Sequence, residues 1–344
     1  MSNLPHSIQK RGSRYAIYLP RGYGKRYQGQ YDTVEDAVAA RDAAMRRLAP
    51  QPKIEGLTNE DEEYAPDELW QAAFKAQLRT TQVAEKRGRR KITIPRPKRP
   101  FALAFLSDLH LGNASTDYQT LKHDVDLIAE TPRMWSGFHG DGIDNWIVGK
   151  LAGLQRGQPI PFDAEVQLLT TVLETLEGKL LWVVAGNHDN WTVKLAGIDR
   201  IKEALRGTRV LYDRYEVAFD LMYGERSIAF KVRHQWKYSS IFNATHGIEV
   251  GWQRGDTDFD IGLGGHTHIG TLCRPFIRHG RRRYAILTGT YKVDGDFGRE
   301  LGLPAPTGRG SGAMVFWPDG RRLFCESIQT AADFLRYLLA RKTT

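Results

Sequence analysis

Residues 180–189 read Leu180-Leu-Trp-Val-Val-Ala-Gly-Asn-His-Asp189. Six apolar residues make one strand's length, and a continuous apolar run of that length reads as a strand buried on both faces. The polar cluster that follows carries Asn187, His188 and Asp189, side chains that ligate metals or move protons, behind a glycine that lets the chain turn. In an open α/β sheet, ligands bind beyond the carboxyl ends of the strands. The stretch therefore predicts a buried strand that delivers a functional cluster to one rim of a sheet.

Working outward, four more apolar runs end the same way. Phe101–Leu106 leads to Asp108 and His110, and Met134–Phe138 leads to Gly140-Asp-Gly-Ile-Asp144. Ile228–Val232 leads to His234, and Phe259–Leu263 leads to Gly264-Gly-His-Thr-His268. Helical patterns lie between the runs, at Asp117–Glu130 and Asp163–Glu177, so the chain from about residue 100 reads as an α/β domain. A lone Asp or His is most often structural. Five such clusters at strand ends predict one shared site, and mixed carboxylates and imidazoles suit a pair of divalent ions.

At these motifs the chain resembles the calcineurin-like metallophosphoesterases, whose signature runs D-x-H, G-D-x-x-D, G-N-H-D/E, a separate His, then G-H-T-H. The resemblance spans about residues 100–330. It implies a four-layer αββα sandwich and a metal-dependent hydrolase that holds two divalent ions, manganese foremost, with iron, zinc or magnesium as the other candidates. By the same resemblance Asp108, His110, Asp141 and His268 hold one ion, and Asn187, His234 and His266 hold the second with Asp141 as the bridge. His188 is then the imidazole that contacts phosphate and protonates the leaving oxygen, with Asp144 orienting it. The implied reaction is in-line attack on phosphorus by a hydroxide held between the ions. Asn145 stands where the protein-phosphatase branch has an arginine clamp, which disfavours that activity. For the separate His, His234 is preferred over His246 because it directly ends an apolar run. His123 and His139 read as non-ligands, and Arg281–Arg283 as the charged edge of an exposed hairpin.

The N-terminal region is different. Residues 7–31 alternate basic and aromatic or aliphatic positions between glycines and a proline, which predicts three short antiparallel strands. Thr33 sits as an N-cap before a helical pattern that runs to Leu48. The segments Arg14-Tyr-Ala-Ile-Tyr18, Gly29–Ala37 and Ala40–Ala44 resemble the ethylene-response-factor (APETALA-type) DNA-binding domain, in the variants attached to phage and mobile-element endonucleases. That resemblance puts Lys10, Arg11, Arg14, Tyr18, Arg21, Lys25 and Arg26 on a DNA-binding face. A merely solvated basic surface is the plainer alternative.

Charge follows this division. The net charge of +9 splits into 9 basic against 4 acidic residues in 1–52, 11 against 8 in 53–99, and 29 against 28 in 100–344. The sequence thus predicts a DNA-binding-like domain over 1–52, a helical, basic, proline-rich linker over 53–99, and a nearly neutral catalytic domain over 100–344. Two cysteines rule out a disulfide framework, and no apolar run reaches the roughly 20 residues of a membrane span. With no apolar leader, the expected setting is cytoplasmic, with DNA as partner, no membrane association and no obligate protein partner. The resulting expectation is a two-metal nuclease or DNA phosphodiesterase. Its rivals are a phosphatase or nucleotide phosphodiesterase that DNA binding only localises, and a non-catalytic DNA-binding protein with a structural metal site.

Overall fold

The computed structural model describes residues 7–20, 27–48, 66–86, 89–147, 153, 158–238, 240, 242–255, 258–293 and 310–341, and its contacts divide the chain into two compact units at Thr80/Thr81.

In the first unit, β1 (Ile8–Arg11), β2 (Arg14–Tyr18) and β3 (Tyr27–Tyr31) form an antiparallel sheet in that order, followed by α1 (Val34–Leu48). The Thr33 hydroxyl accepts the Asp36 amide at 3.1 Å, so the helix starts where the N-cap predicted. Ile8, Ile17 and Leu19 are buried with Ala37 and Ala44 from α1. Strand alternation then sends Arg11, Arg14 and Tyr18 to the opposite sheet face, whereas Lys10 shares the face of Ile8. Arg14 pairs with Asp32 at 2.7 Å, and Arg11 lies over the Tyr18 ring at 5.6 Å. Arg21, Lys25 and Arg26 lie outside the described residues. The helix α2 (Pro66–Lys86) crosses the division between the units.

The second unit is a sandwich of two six-stranded mixed sheets. The first sheet holds β5 (Phe101–Leu106), β6 (Met134–His139), β7 (Leu180–Val184) and β8 (Leu211–Asp213), parallel in that order. Beyond β5 it continues antiparallel through β14 (Ala313–Phe316) and β15 (Arg322–Cys325). The second sheet runs β12 (Leu272–Arg278), β13 (Arg281–Leu287), β11 (Ile261–Gly264), β10 (Arg226–Val232), β9 (Val217–Tyr223), β4 (Arg90–Thr93).

Period-two alternation makes the layers. Phe101, Leu103 and Phe105 of β5 face the second sheet and pack with Trp182, Phe219 and Phe230, the last two stacked at 4.9 Å. Ala102, Ala104 and Leu106 face outward, under α3 (Tyr118–Glu130), α4 (Phe162–Thr175), α6 (Arg200–Ala204) and α8 (Ile328–Ala340). On the other outer face, Trp236, Phe259 and Leu287 pack with Ile248 and Trp252 of α7 (His246–Gln253). Each fully buried large side chain contributes about 1.5–3 kcal/mol of transfer free energy. The architecture is the expected αββα sandwich.

Two readings need correction. The five site-bearing strands are not in one sheet: β5, β6 and β7 lie in the first, β10 and β11 in the second. Apolar runs cannot say which sheet a strand joins, because both sheets bury both faces. The basic stretch read as linker also contributes β4, an edge strand paired parallel to β9. Arg89 beside it pairs with Asp220 at 3.2 Å and Asp258 at 2.6 Å, and Arg133 donates to the carbonyls of Pro95, Arg96, Arg99 and Pro100. Part of this basic segment is therefore fastened to the sandwich.

Candidate metal centre

The ends of β5, β6, β7, β10 and β11 meet at one rim. Joining the two sheets there, the His234 Nδ1–H donates to the His139 carbonyl at 2.9 Å, and the His266 amide donates to both Asp108 oxygens at 3.1 and 3.0 Å. The Asp108 and His110 amides take up the carbonyls of Gly140 and Asp141, which binds the first two loops together. Asp108, His110, Asp141, Asn145, His266 and His268 all have φ between 47° and 71°. This left-handed backbone costs about 1–3 kcal/mol for each non-glycine residue and concentrates at sites that constrain it. Space is equally tight. A Cβ on Gly186 would lie 2.0 Å from Asp141 Oδ1, and one on Gly140, itself at φ 109°, would lie 2.4 Å from His234 Nδ1.

Three histidines are pinned through Nδ1 to oxygen acceptors, which requires a proton on that nitrogen. His110 donates to Asp144 Oδ1 at 2.6 Å, His234 to the His139 carbonyl, and His188 to the Asp144 carbonyl at 2.5 Å. Each Nε2 is thereby turned inward. His110 Nε2 lies 3.0 Å from His268 Nε2, which lies 3.1 Å from Asp108 Oδ1. His234 Nε2 lies 3.1 Å from Asp141 Oδ2 and 3.2 Å from Asn187 Oδ1. In the first group an imidazole lone pair, a second ring nitrogen and a carboxylate converge; in the second, a ring nitrogen, a carboxylate and an amide oxygen. Donor sets of this kind are satisfied by a cation, and they fit two divalent ions of the manganese, iron and zinc type. Asp108, His110 and His268 form one group with ligand atoms within 4.8 Å, and Asp141, His234 and His266 another.

The electrostatics agree. Burial raises the Asp108 and Asp141 carboxyls, but neighbouring imidazoles, His234 foremost, outweigh it and hold both well below the usual carboxylate range. Burial also disfavours charge on His234, yet Asp141 and Asp108 push it up to about 10. His110 goes the other way, down to about 4, through burial and the Lys292 ammonium. A proton on His234 thus occupies the place of a cation. Ion-free protein should hold this contribution fully below pH 6.5 and lose it as the pH rises toward 10, when His234 deprotonates and leaves the carboxylates uncompensated. Thermal melts from pH 6.5 to 10 are expected to fall more steeply in chelator than with manganese, because alkaline pH frees the ligands for the ion. Parallel melting curves would contradict this account.

Asp144 departs from its expected role. Its carboxylate takes His110 Nδ1, Trp146 Nε1 at 2.6 Å, Gln158 at 2.8 Å, Lys292 at 3.3 Å and the Asn113 amide, while only its backbone carbonyl orients His188. The cause is the short parallel bridge Leu111↔Ile143, which lays the Asp144 side chain beside His110. The His188 ring sits between Trp191, 4.1 Å away and tilted 32°, and Trp146, edge-on at 4.9 Å; its Nε2 lies 4.0 Å from Asp141 Oδ2. Asn145 donates to the His188 carbonyl at 2.5 Å and to Thr192 at 2.9 Å, which fixes the turn at the start of α5 (Asn187–Ala196).

Among the other histidines, His246 lies at the start of α7, His123 pairs with Gln329 at 2.7 Å, and His139 contacts Thr288 at 2.9 Å. The hairpin arginines are only partly exposed edge: Arg283 is buried against Asp260 at 2.5 Å, and Arg281 reaches the same carboxylate at 2.8 Å. Sequence reasoning missed Ser107, which donates to Asp108 at 2.5 Å, and the supports Asn113, Trp146, Gln158 and Lys292. It also missed the role of the His139 carbonyl. Ser107, adjacent to Asp108, was the one with a signal in its position.

No known family matches the chain by sequence, and no curated protein does. Solved structures resemble it at low scores. Vps29 of Chaetomium thermophilum gives a TM-score of 0.35 at 9% identity, covering 65% of this chain and 93% of that one. The nuclease MPE of Pseudomonas putida gives 0.30 at 14%, covering 65% and 87%. GAP50, described as the anchor in the inner membrane complex of Plasmodium, gives 0.36 at 11%, covering 66% and 84%. Likeness at this level does not distinguish a nuclease from an anchor. Among the described residues, no helix is long and apolar enough to cross a membrane.

Proposed function

We propose that the protein is a two-metal phosphoesterase that hydrolyses phosphodiesters of DNA, with the three-stranded unit binding the nucleic acid. The observation that carries this reading is the convergence of inward-facing ring nitrogens and carboxylates on two adjacent ligand groups, with His188 beside them. Asp108, His110 and His268 would hold one ion, and Asn187, His234 and His266 the other, with Asp141 between. When bound, divalent ions supply charge that acidifies water and offsets the negative charge growing on phosphoryl oxygens. The chain's own residues do the rest. His188, fixed through Nδ1, presents Nε2 to hydrogen-bond a phosphoryl oxygen and to protonate the departing oxygen. Asp144 holds His110 in one tautomer, and the His139 carbonyl does the same for His234.

The DNA part of the reading rests on Arg11, Arg14 and Tyr18, which share one face of a two-strand ribbon able to enter a major groove. Lys10 lies on the other face of the sheet and is not part of this surface, and Arg21, Lys25 and Arg26 are assigned to DNA by the sequence resemblance alone.

The test is a substrate panel with manganese: plasmid, duplex and single-stranded DNA, a small chromogenic diester and a small monoester. At least one of these forms of DNA, and the diester, should be hydrolysed. Intact DNA beside rapid monoester hydrolysis would instead favour a phosphatase, and no turnover of anything would favour a binding protein. Removing residues 1–52 should weaken DNA binding and flatten its salt dependence, since fewer phosphates are neutralised. An unchanged salt slope would move DNA binding elsewhere.

A further inference from the structure

A groove of about 460 Å³ opens directly from the metal centre. Asn187 and His234 of the candidate metal centre line it, and so does Trp236, whose Nε1–H donates to the Leu263 carbonyl at 2.8 Å. Its walls carry Lys194, Arg214, Arg233 and Lys237, with Glu216 as the one carboxylate. Glu216 is already engaged by Arg233, whose Nε donates to it at 2.6 Å and whose guanidinium lies 4.5 Å over Trp236. Lys194, Arg214 and Lys237 have no carboxylate partner among the described residues. Arg214 is held in place by Asn190 at 3.1 Å and by the Tyr215 hydroxyl at 3.0 Å. Two half-exposed aromatic rings, Tyr215 and Tyr238, stand among these cations, with the Arg214 guanidinium 5.2 Å from the Tyr215 centroid and that of Arg254 4.7 Å from the Tyr238 centroid, so a base would stack on the ring face that each arginine does not cover.

A groove that pairs unneutralised cations with exposed aromatic rings matches what single-stranded nucleic acid requires: positive charge along the backbone and flat faces for bases. The volume lies within the range of single small-ligand sites, roughly 300–1,000 Å³, and excludes a duplex. A small phosphomonoester at the metal centre would leave the groove empty, whereas a strand continuing past the scissile phosphate would enter it.

We infer that this groove is the subsite for the nucleotide flanking the scissile phosphate of a single-stranded nucleic acid. Lys194, Arg214 and Lys237 would neutralise its phosphates, and Tyr215 and Tyr238 would stack its bases. This rests on the phosphodiester reading of the metal centre. Lys194, Arg214 and Lys237 lie on three separate segments, outside every motif of the metal site.

The experiment uses the full chain and a labelled hexanucleotide containing 5-iodouracil. In chelator, irradiation should cross-link the strand to peptides bearing Tyr215 or Tyr238, and Lys194→Ala/Lys237→Ala should remove that cross-link. With manganese, the same double variant should raise KM for the hexanucleotide about 10-fold and lower the salt slope by about 1.4, the value for two lost phosphate contacts to a single strand. Arg282→Ala/Lys122→Ala removes equal charge elsewhere and should leave cross-linking and KM within twofold of the wild type. Cross-links confined to other regions, or equal KM for the two double variants, would overturn the inference. Groove cross-links in a protein that hydrolyses no diester would defeat the phosphodiester reading and reduce the groove to a single-strand binding site with no scissile phosphate beside it.

Discussion

Asp141→Asn is expected to lower metal-dependent turnover by about 10³-fold or more while the protein stays folded. The Asp141 carboxylate is buried, with Oδ1 accepting the His188 amide at 3.0 Å and Oδ2 3.1 Å from His234 Nε2. An Asn side chain keeps the shape and the acceptor for the His188 amide. It loses the one negative charge that His234, His188 and His110 all sense. Losing a buried charge at a reacting centre costs more than losing a neutral hydrogen-bond donor, which alone costs about 10²–10³ in rate. Calorimetry should show weakened manganese binding, and circular dichroism an unchanged fold. Near-normal turnover would remove Asp141 from the site.

His188→Ala is expected to lower kcat by about 10²–10⁴-fold on DNA, the range for a lost general acid. The expectation is sharper than its size. If His188 protonates the leaving oxygen, the loss must shrink for a nitrophenyl diester, whose leaving group departs without a proton, and grow for an alkoxide such as a deoxyribose oxygen. Equal losses on both would leave His188 only its hydrogen bond to a phosphoryl oxygen, and no loss on either would reduce it to a packing partner of Trp146 and Trp191. Its burial beside these rings, 8% exposed, makes that alternative concrete.

The grouping of the candidate ligands was legible in the sequence because each follows an apolar run long enough to be a strand, so order along the chain carried over into position at a rim. His234 illustrates this: with no motif around it, its place at the end of β10 was the only signal, and the structure sets it against Asp141 and Asn187. What could not be read depends on contacts between segments. The carboxylate of Asp144 serves His110 because a bridge forms between Leu111 and Ile143, and nothing local to either residue encodes that bridge. β4 was hidden because its Arg90-Lys-Ile-Thr93 offers one apolar side chain to a sheet edge, which by composition is indistinguishable from a basic linker. The groove cations were invisible for the same reason, being gathered from α5, the β8–β9 connection and the segment after β10.

The near-neutral charge of residues 100–344 also acquires a structural meaning. Asp108, Asp141 and Asp144 are buried acids at the site, held ionised by imidazoles and by Lys292. With ions bound, the rim facing a polyanionic strand would be less acidic than the formal count.

The most direct test of the central claim is to strip the full chain of metal and titrate manganese back, following bound metal per chain and hydrolysis of a single-stranded oligonucleotide in the same samples. The account predicts two ions per chain in the wild type, turnover that rises with their binding, and neither full occupancy nor turnover in Asp141→Asn. Two ions bound without hydrolysis of any phosphodiester, or hydrolysis that persists in the stripped protein, would contradict it.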